Sequence, residues 1–148
     1  MQLNISTDYA IRSLLYLSTC GRQASSSEIA REMRIPDNYL YAVMGKLKKA
    51  GLAHATRGVK GGWTLLKDPD EITLLAILEV MEGSVKINRC LHDPASCNRE
   101  ATGNCPVHAY YSELQCQLEN FLGSVTLSQI RDRNWSPLNE LASSISVR

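Results

Sequence analysis

No uninterrupted apolar run in the 148 residues approaches the roughly 20 needed to cross a bilayer, so no membrane-spanning helix is expected. The stretch from Met1 to Cys20 lacks a basic start followed by an apolar block; it interleaves Asp8 and Arg12 with its apolar residues and does not read as a secretory signal. A cytoplasmic location is therefore expected. Aromatic residues are scarce at 6%, which together with 44% hydrophobic residues suits a soluble, mostly helical chain. There is no C-x-x-C pair, no nucleotide-binding glycine loop and no nucleophile-base pattern, so nothing points to catalysis. Repeats and low-complexity tracts are also missing. The length leaves room for one domain with a real core, or a small module with a dimerisation element, and excludes a large enzyme.

Net charge is nearly absent too, at +1, but it is unevenly distributed. Residues 1–67 carry ten Lys/Arg against four Asp/Glu, a balance of +6, whereas residues 68–148 carry six against eleven, a balance of −5. The N-terminal part is the candidate for a polyanionic partner, although a solvated basic face without a partner would show the same asymmetry.

Hydrophobic spacing supplies the fold. From Ser6 or Thr7 as N-cap, Ala10, Ile11, Leu14, Leu15 and Leu17 recur at helical intervals until Gly21. Ser25 and Glu28 form a capping box for a short second helix carrying Ile29, Ala30 and Met33. Pro36 suits the first turn of a third, whose Leu40, Val43, Met44 and Leu47 fall at i, i+3, i+4 and i+7 before Gly51. Two short strands, Leu52 to Thr56 and Trp63 to Leu66, flank the basic glycine-rich turn Arg57-Gly58-Val59-Lys60-Gly61-Gly62. Thr73 caps a fourth helix through Met81, stopped by Gly83. Residues 84 to 104 show little periodicity. Pro106 then opens a long helix with Val107, Tyr110, Tyr111, Leu114, Leu118, Phe121, Leu122 and Val125 on one stripe, and a short helix is expected from Ser128. The stripe either packs on the core or forms a two-helix dimer seam; the limited core of so small a module favours the seam.

The expected class is mainly α with a small β wing: a winged helix-turn-helix over residues 1–83, a loop over 84–105, a dimerisation helix and short following helix over 106–133, and a weakly ordered tail over 134–148. With its apolar face committed, the third helix leaves Asn38, Tyr41, Lys48 and Lys49 pointing away from the core. Asn38 and Tyr41 lie early in the helix, where base edges are read, and the lysines suit phosphates. Arg57 and Lys60 sit on a turn whose glycines allow the tip to enter a minor groove. Helix, turn, helix, wing and local positive charge together point to double-stranded DNA, against the alternative of an interaction module with a solvated surface.

Five cysteines remain. Cys90, Cys97 and Cys105 are separated by six and seven intervening residues in the irregular segment; soft thiolates so placed suit an iron-sulfur cluster, zinc or Cu(I), or stand as unligated thiols. Cys20 and Cys116 lie outside that segment and read as ordinary thiols.

The stretch Arg57-Gly58-x-x-Gly61-Gly62-x-x-Leu65, then Pro69, then Ile72-Thr73-Leu74 through Glu82-Gly83, resembles the signature of the Rrf2 family of transcription regulators, and the likeness runs from Met1 to about Arg133. The resemblance implies a dimeric winged-helix repressor or activator acting at palindromic promoter sites. It also implies a sensing iron-sulfur cluster on Cys90, Cys97 and Cys105, because the family's cluster-binding members carry three cysteines just before the long helix. Spacings of six and seven are longer than is usual there. For the fourth ligand, His108 matches the histidine of the IscR-like branch and a 2Fe-2S site, whereas Asp8 matches the aspartate that the NsrR-like branch donates from the other subunit to a 4Fe-4S site. Asp8 and 4Fe-4S are the favoured reading; the alternatives are a thiol- or ligand-sensing regulator of the same fold without a cluster, as in CymR-like members, and, after it, a small metal or redox carrier.

Overall fold

The computed structural model describes residues 2–99 and 103–132; the expected flexible tail lies outside the described residues. The chain runs α1 (Ile5–Cys20), α2 (Ser26–Met33), α3 (Asp37–Lys49), β1 (Ala53–Thr56), β2 (Gly62–Leu65), α4 (Leu74–Glu82), α5 (Arg89–His92), a 3₁₀ turn (Pro94–Ser96), α6 (Pro106–Ser124) and α7 (Leu127–Asp132). The helices and the hairpin stand where periodicity places them, and the class is mainly α with a small antiparallel wing.

The core lies beneath α1, where Leu14, Ile29, Leu40, Met44, Leu47, Ile72, Ile77 and Leu127 are all fully buried. Each comes from a helix face set by 3.6-residue spacing, except Ile72 and Leu127, which flank α4 and open α7. Backbone pairing joins those two segments. Leu127 donates its N–H to the Ile72 carbonyl at 2.8 Å, and Leu74 donates to Val125 at 2.9 Å. The turn between α6 and α7 is thus stitched back onto the first 80 residues, and α7 rests on α1.

Two local features depart from the expected pattern. The first helix starts at Ile5 with Asn4 as N-cap and no side-chain cap, rather than at Ser6 or Thr7. Thr7 is buried and donates its hydroxyl to the Glu82 carboxylate, which also accepts the Asn4 N–H at 2.8 Å. A carboxylate 75 residues downstream therefore satisfies the helix start, and these two donors hold it below the usual carboxylate range. The second departure is in residues 84–104, where Asn88 and Asp93 accept the backbone N–H groups of Cys90 and Ala95 and nucleate two short helical turns.

The wing is tighter than a two-stranded hairpin. Register runs from Ala53 opposite Leu65 to Thr56 opposite Gly62. Ala24, just before α2, adds a third short rung by exchanging hydrogen bonds with Trp63 at 3.1 and 2.8 Å. A Cβ at Gly62 would stand 2.6 Å from the Ala24 carbonyl oxygen, and one at Gly61 would stand 2.5 Å from that of Thr56. Those glycines are therefore required by close backbone approach.

Candidate DNA interface and cysteine segment

Helix α3 separates its two faces cleanly. Leu40, Val43, Met44 and Leu47 are 0–1% exposed, while Asn38, Tyr41, Lys48 and Lys49 are all exposed. At about 100° per residue those four fall within roughly 100° of one another around the helix. The structure thus brings them onto one face, with Lys46, Lys48 and Lys49 in the last turn. Arg57 and Lys60 project from the wing tip, both exposed, on either side of the fully exposed Val59.

Neighbouring residues hold this surface in place. Tyr39, 43% exposed, meets Tyr9 of α1 edge-on with ring centroids 5.7 Å apart. Arg12 lies 5.6 Å over the Tyr9 ring and donates to the Met33 carbonyl at 3.3 Å, bracing the end of α2. Arg34 makes the helix-turn-helix corner in the left-handed region at φ 52°, an uncommon place for a side-chain-bearing residue. On the wing, the Trp63 indole donates to Ser26 at 2.9 Å and the Gln23 amide donates to the Lys60 carbonyl. None of these bracing roles follows from sequence spacing, although the off-stripe pair Tyr39 and Tyr41 is a visible signal. At the base of α2, Arg22 and the Tyr16 hydroxyl hydrogen-bond Glu28 at 2.6 Å each, and they pull its carboxyl down to about 2. The expected capping box is only half formed: Ser25 accepts the Glu28 N–H at 3.2 Å, while the Glu28 carboxylate turns to Arg22 and Tyr16.

The three cysteines all lie half-buried between the winged head and α6. Cys90 is in α5, Cys97 closes the 3₁₀ turn, and Cys105 is the N-cap of α6. His108 sits one turn into α6, half-buried, and its N–H reaches the Cys105 carbonyl at 3.1 Å. Asp8 lies apart on α1 and pairs with Arg12, with 47% of its side chain exposed. Among the described residues no three Cys, His, Asp or Glu side chains converge as a ready-made metal site. The donors fit an iron-sulfur cluster by chemistry, as soft thiolates within 16 residues, and ligation would require the segment to draw together. Cys20 ends α1, and Cys116 is exposed on α6, where it borders the same pocket as Leu91 of α5.

Along α6 the apolar stripe divides. Leu122 and Val125 are buried, with Gly123 packed against Leu75, whereas Val107, Tyr110, Leu114 and Phe121 are 37–78% exposed. Gln115 is buried at 4%, which stripe counting misses; its spacing from Tyr111, Leu118 and Leu122 is the signal. No helix among the described residues is long and apolar enough to cross a membrane.

Residues 3–133 match the family described as Rrf2, iron-dependent transcriptional regulator. A protein of Aquifex aeolicus described as an HTH-type transcriptional regulator is 34% identical over 82% of this chain and 85% of its own. The HTH-type transcriptional regulator IscR of Photobacterium profundum is 27% identical over 90% of this chain and 78% of its own. Among solved structures, CymR, the global cysteine regulator of Bacillus subtilis, superposes with a TM-score of 0.68 over 90% of this chain and 98% of its own, at 23% identity, and shows the shared fold.

Proposed function

Because the chain belongs to the Rrf2 family of DNA-binding transcription regulators, we propose that it works in the cytoplasm as a homodimeric repressor or activator whose DNA affinity is set by an iron-sulfur cluster on Cys90, Cys97 and Cys105. The observation that carries this reading is the position of the three thiols, in a segment that joins the winged head to an α6 whose N-terminal half exposes Val107, Tyr110 and Leu114. That exposed stripe supports pairing with a second copy, which would present two recognition helices to the half-sites of a palindrome. Asn38 and Tyr41 read base edges, Lys48 and Lys49 hold phosphates, and Arg57 and Lys60 carry the wing tip into the flanking minor groove.

A bound cluster supplies chemistry responsive to iron supply, redox state and nitric oxide. The thiols bind it only by drawing the segment together, so ligation changes how the segment meets α6. Two residues compete for the fourth position. Asp8, donated by a second subunit, is favoured along with 4Fe-4S: its exposed pairing with Arg12 is worth about 0–1 kcal/mol and is easily given up. His108, one turn from Cys105, is the alternative and would accompany 2Fe-2S.

The test is native mass spectrometry with visible absorption on anaerobic protein, for the parent, Asp8→Ala and His108→Ala. Cluster loss in one variant names the fourth ligand, and the iron count gives the cluster type. Holo and apo protein are then titrated against a cognate site. Equal affinities end the sensing reading, and no iron or sulfide after reconstitution leaves a thiol-sensing regulator of the same fold.

A further inference from the structure

Gln115 is the one long polar side chain among the buried polar residues described, and it is fully employed. Its Oε1 accepts the N–H of Ile87 at 2.8 Å, and its Nε2 donates to the Val85 carbonyl at 3.3 Å and to Glu119 Oε1 at 2.9 Å. The same Glu119 oxygen accepts from Lys86 Nζ at 2.6 Å. Three consecutive residues, Val85 to Ile87, are thereby fastened to α6: the two outer ones through their backbone by a side-chain amide acting as a strand partner, the middle one by an ion pair. Ile87 lies three residues before Cys90, while the far end of the cysteine segment is fixed by Cys105 as the cap of the same helix. Gln115 and Cys105 are ten residues apart on α6, or about 15 Å. The segment is therefore slung between two anchors on one rigid rod. A surface pocket of about 320 Å³, lined by Leu78, Glu82, Val85, Lys86, Leu118 and Leu122 among others, borders the near anchor.

We infer that Gln115 is a positioning residue for the cysteine segment, holding Val85–Ile87 on α6 so that Cys90 starts from a fixed point relative to Cys105. Glu119 orients the Gln115 amide and secures Lys86 beside it. The part of this inference that concerns the cluster rests on the function proposed above; the anchoring does not. A buried amide with no such duty would be replaced at little cost by an apolar side chain of its own shape.

The test uses the full chain with Gln115→Met, which keeps length and helix propensity and removes all three hydrogen bonds, and Lys86→Met as a second variant. Pulsed alkylation followed by mass spectrometry reads each cysteine separately in the cluster-free protein. In Gln115→Met, Cys90 is expected to react on the order of tenfold faster, with Cys105 and Cys20 changed less than twofold; Lys86→Met gives a smaller rise at the same cysteine. Unchanged Cys90 reactivity, or a parallel rise at Cys20 showing general loosening, overturns the inference. In reconstituted protein, Gln115→Met is expected to lose iron to a chelator several-fold faster than the parent. Equal loss rates overturn the link to the cluster. A parent chain that takes up no iron refutes the proposed sensing and leaves the alkylation result to decide the anchoring.

Discussion

Replacing Gly62 by alanine puts a methyl group about 0.8 Å closer to the Ala24 carbonyl oxygen than ordinary contact allows, with the Ala24 carbonyl carbon at 3.0 Å. Both atoms are backbone and cannot rotate aside, so the Ala24–Trp63 rung opens and its two hydrogen bonds go with it. At about 0.5–1.5 kcal/mol each, plus about 1–3 kcal/mol of local strain, the expected loss is roughly 2–6 kcal/mol. For a chain of this size that lowers the melting temperature by roughly 5–25 °C. Gly45, inside α3, is the control, because a Cβ there meets nothing within 4 Å. Gly45→Ala is expected to stabilise by about 0.5–1 kcal/mol through reduced freedom of the unfolded chain. Chemical denaturation of both variants is the assay. A Gly62→Ala protein within 0.5 kcal/mol of the parent would refute the close-approach argument. On DNA both variants should bind more weakly: Gly62→Ala because the wing loses its rung to the α2 start, Gly45→Ala because its methyl projects between Asn38, Tyr41 and Lys48 on the recognition face.

Leu127→Ala, at a fully buried site where α7 meets the core, is expected to cost about 2–5 kcal/mol in denaturant titration, and a loss under 1 kcal/mol would contradict the docking of α7 on the core. Glu28 is held near 2 when folded against 4.5 as its ordinary value, so its contribution is fully present above about pH 4.5 and is lost as pH falls toward 2. Glu28→Gln should therefore flatten the stability profile across that window, and an unaltered profile would remove Glu28 as its source. Arg57→Ala and Lys60→Ala should each lower DNA affinity across all sequences and reduce the slope of log affinity against log salt by about 1, whereas Asn38→Ala should change sequence preference with the slope intact. A salt slope unchanged in both wing variants would move the tip off the phosphates.

What could be read from the sequence was whatever repeats locally. Leu40, Val43, Met44 and Leu47 define α3 because a buried face needs apolar residues every three or four positions, and the exposed residues follow by subtraction. The glycines at 61 and 62 marked the wing, though the neighbour that demands Gly62 is Ala24, 38 positions earlier in the chain. Features resting on distant partners were not legible. The cap on α1 is a carboxylate from α4, the rung joining Ile72 to Leu127 spans more than 50 residues, and Gln115 is buried only because Val85 to Ile87 lie across it. Asn88 and Asp93 could have been read as short-range caps; the absence of apolar periodicity hid them. The three cysteines were identifiable as a donor set, but their mutual approach depends on the path of the intervening chain.

The uneven burial of α6 has a mechanical meaning. The rod is gripped near its C-terminal end by Leu122 and Val125, while Cys105 lies 17 residues from Leu122 at the other end, about 25 Å away. A tilt of about 5° at the grip, small enough for side chains to absorb by sliding, sweeps the far tip through about 2 Å. Read in reverse, a displacement of that size imposed at the tip returns to the head as a small rotation with high leverage. Under the proposed function, a modest change in how the thiols are held would be geared down into a small adjustment of α2 and α3.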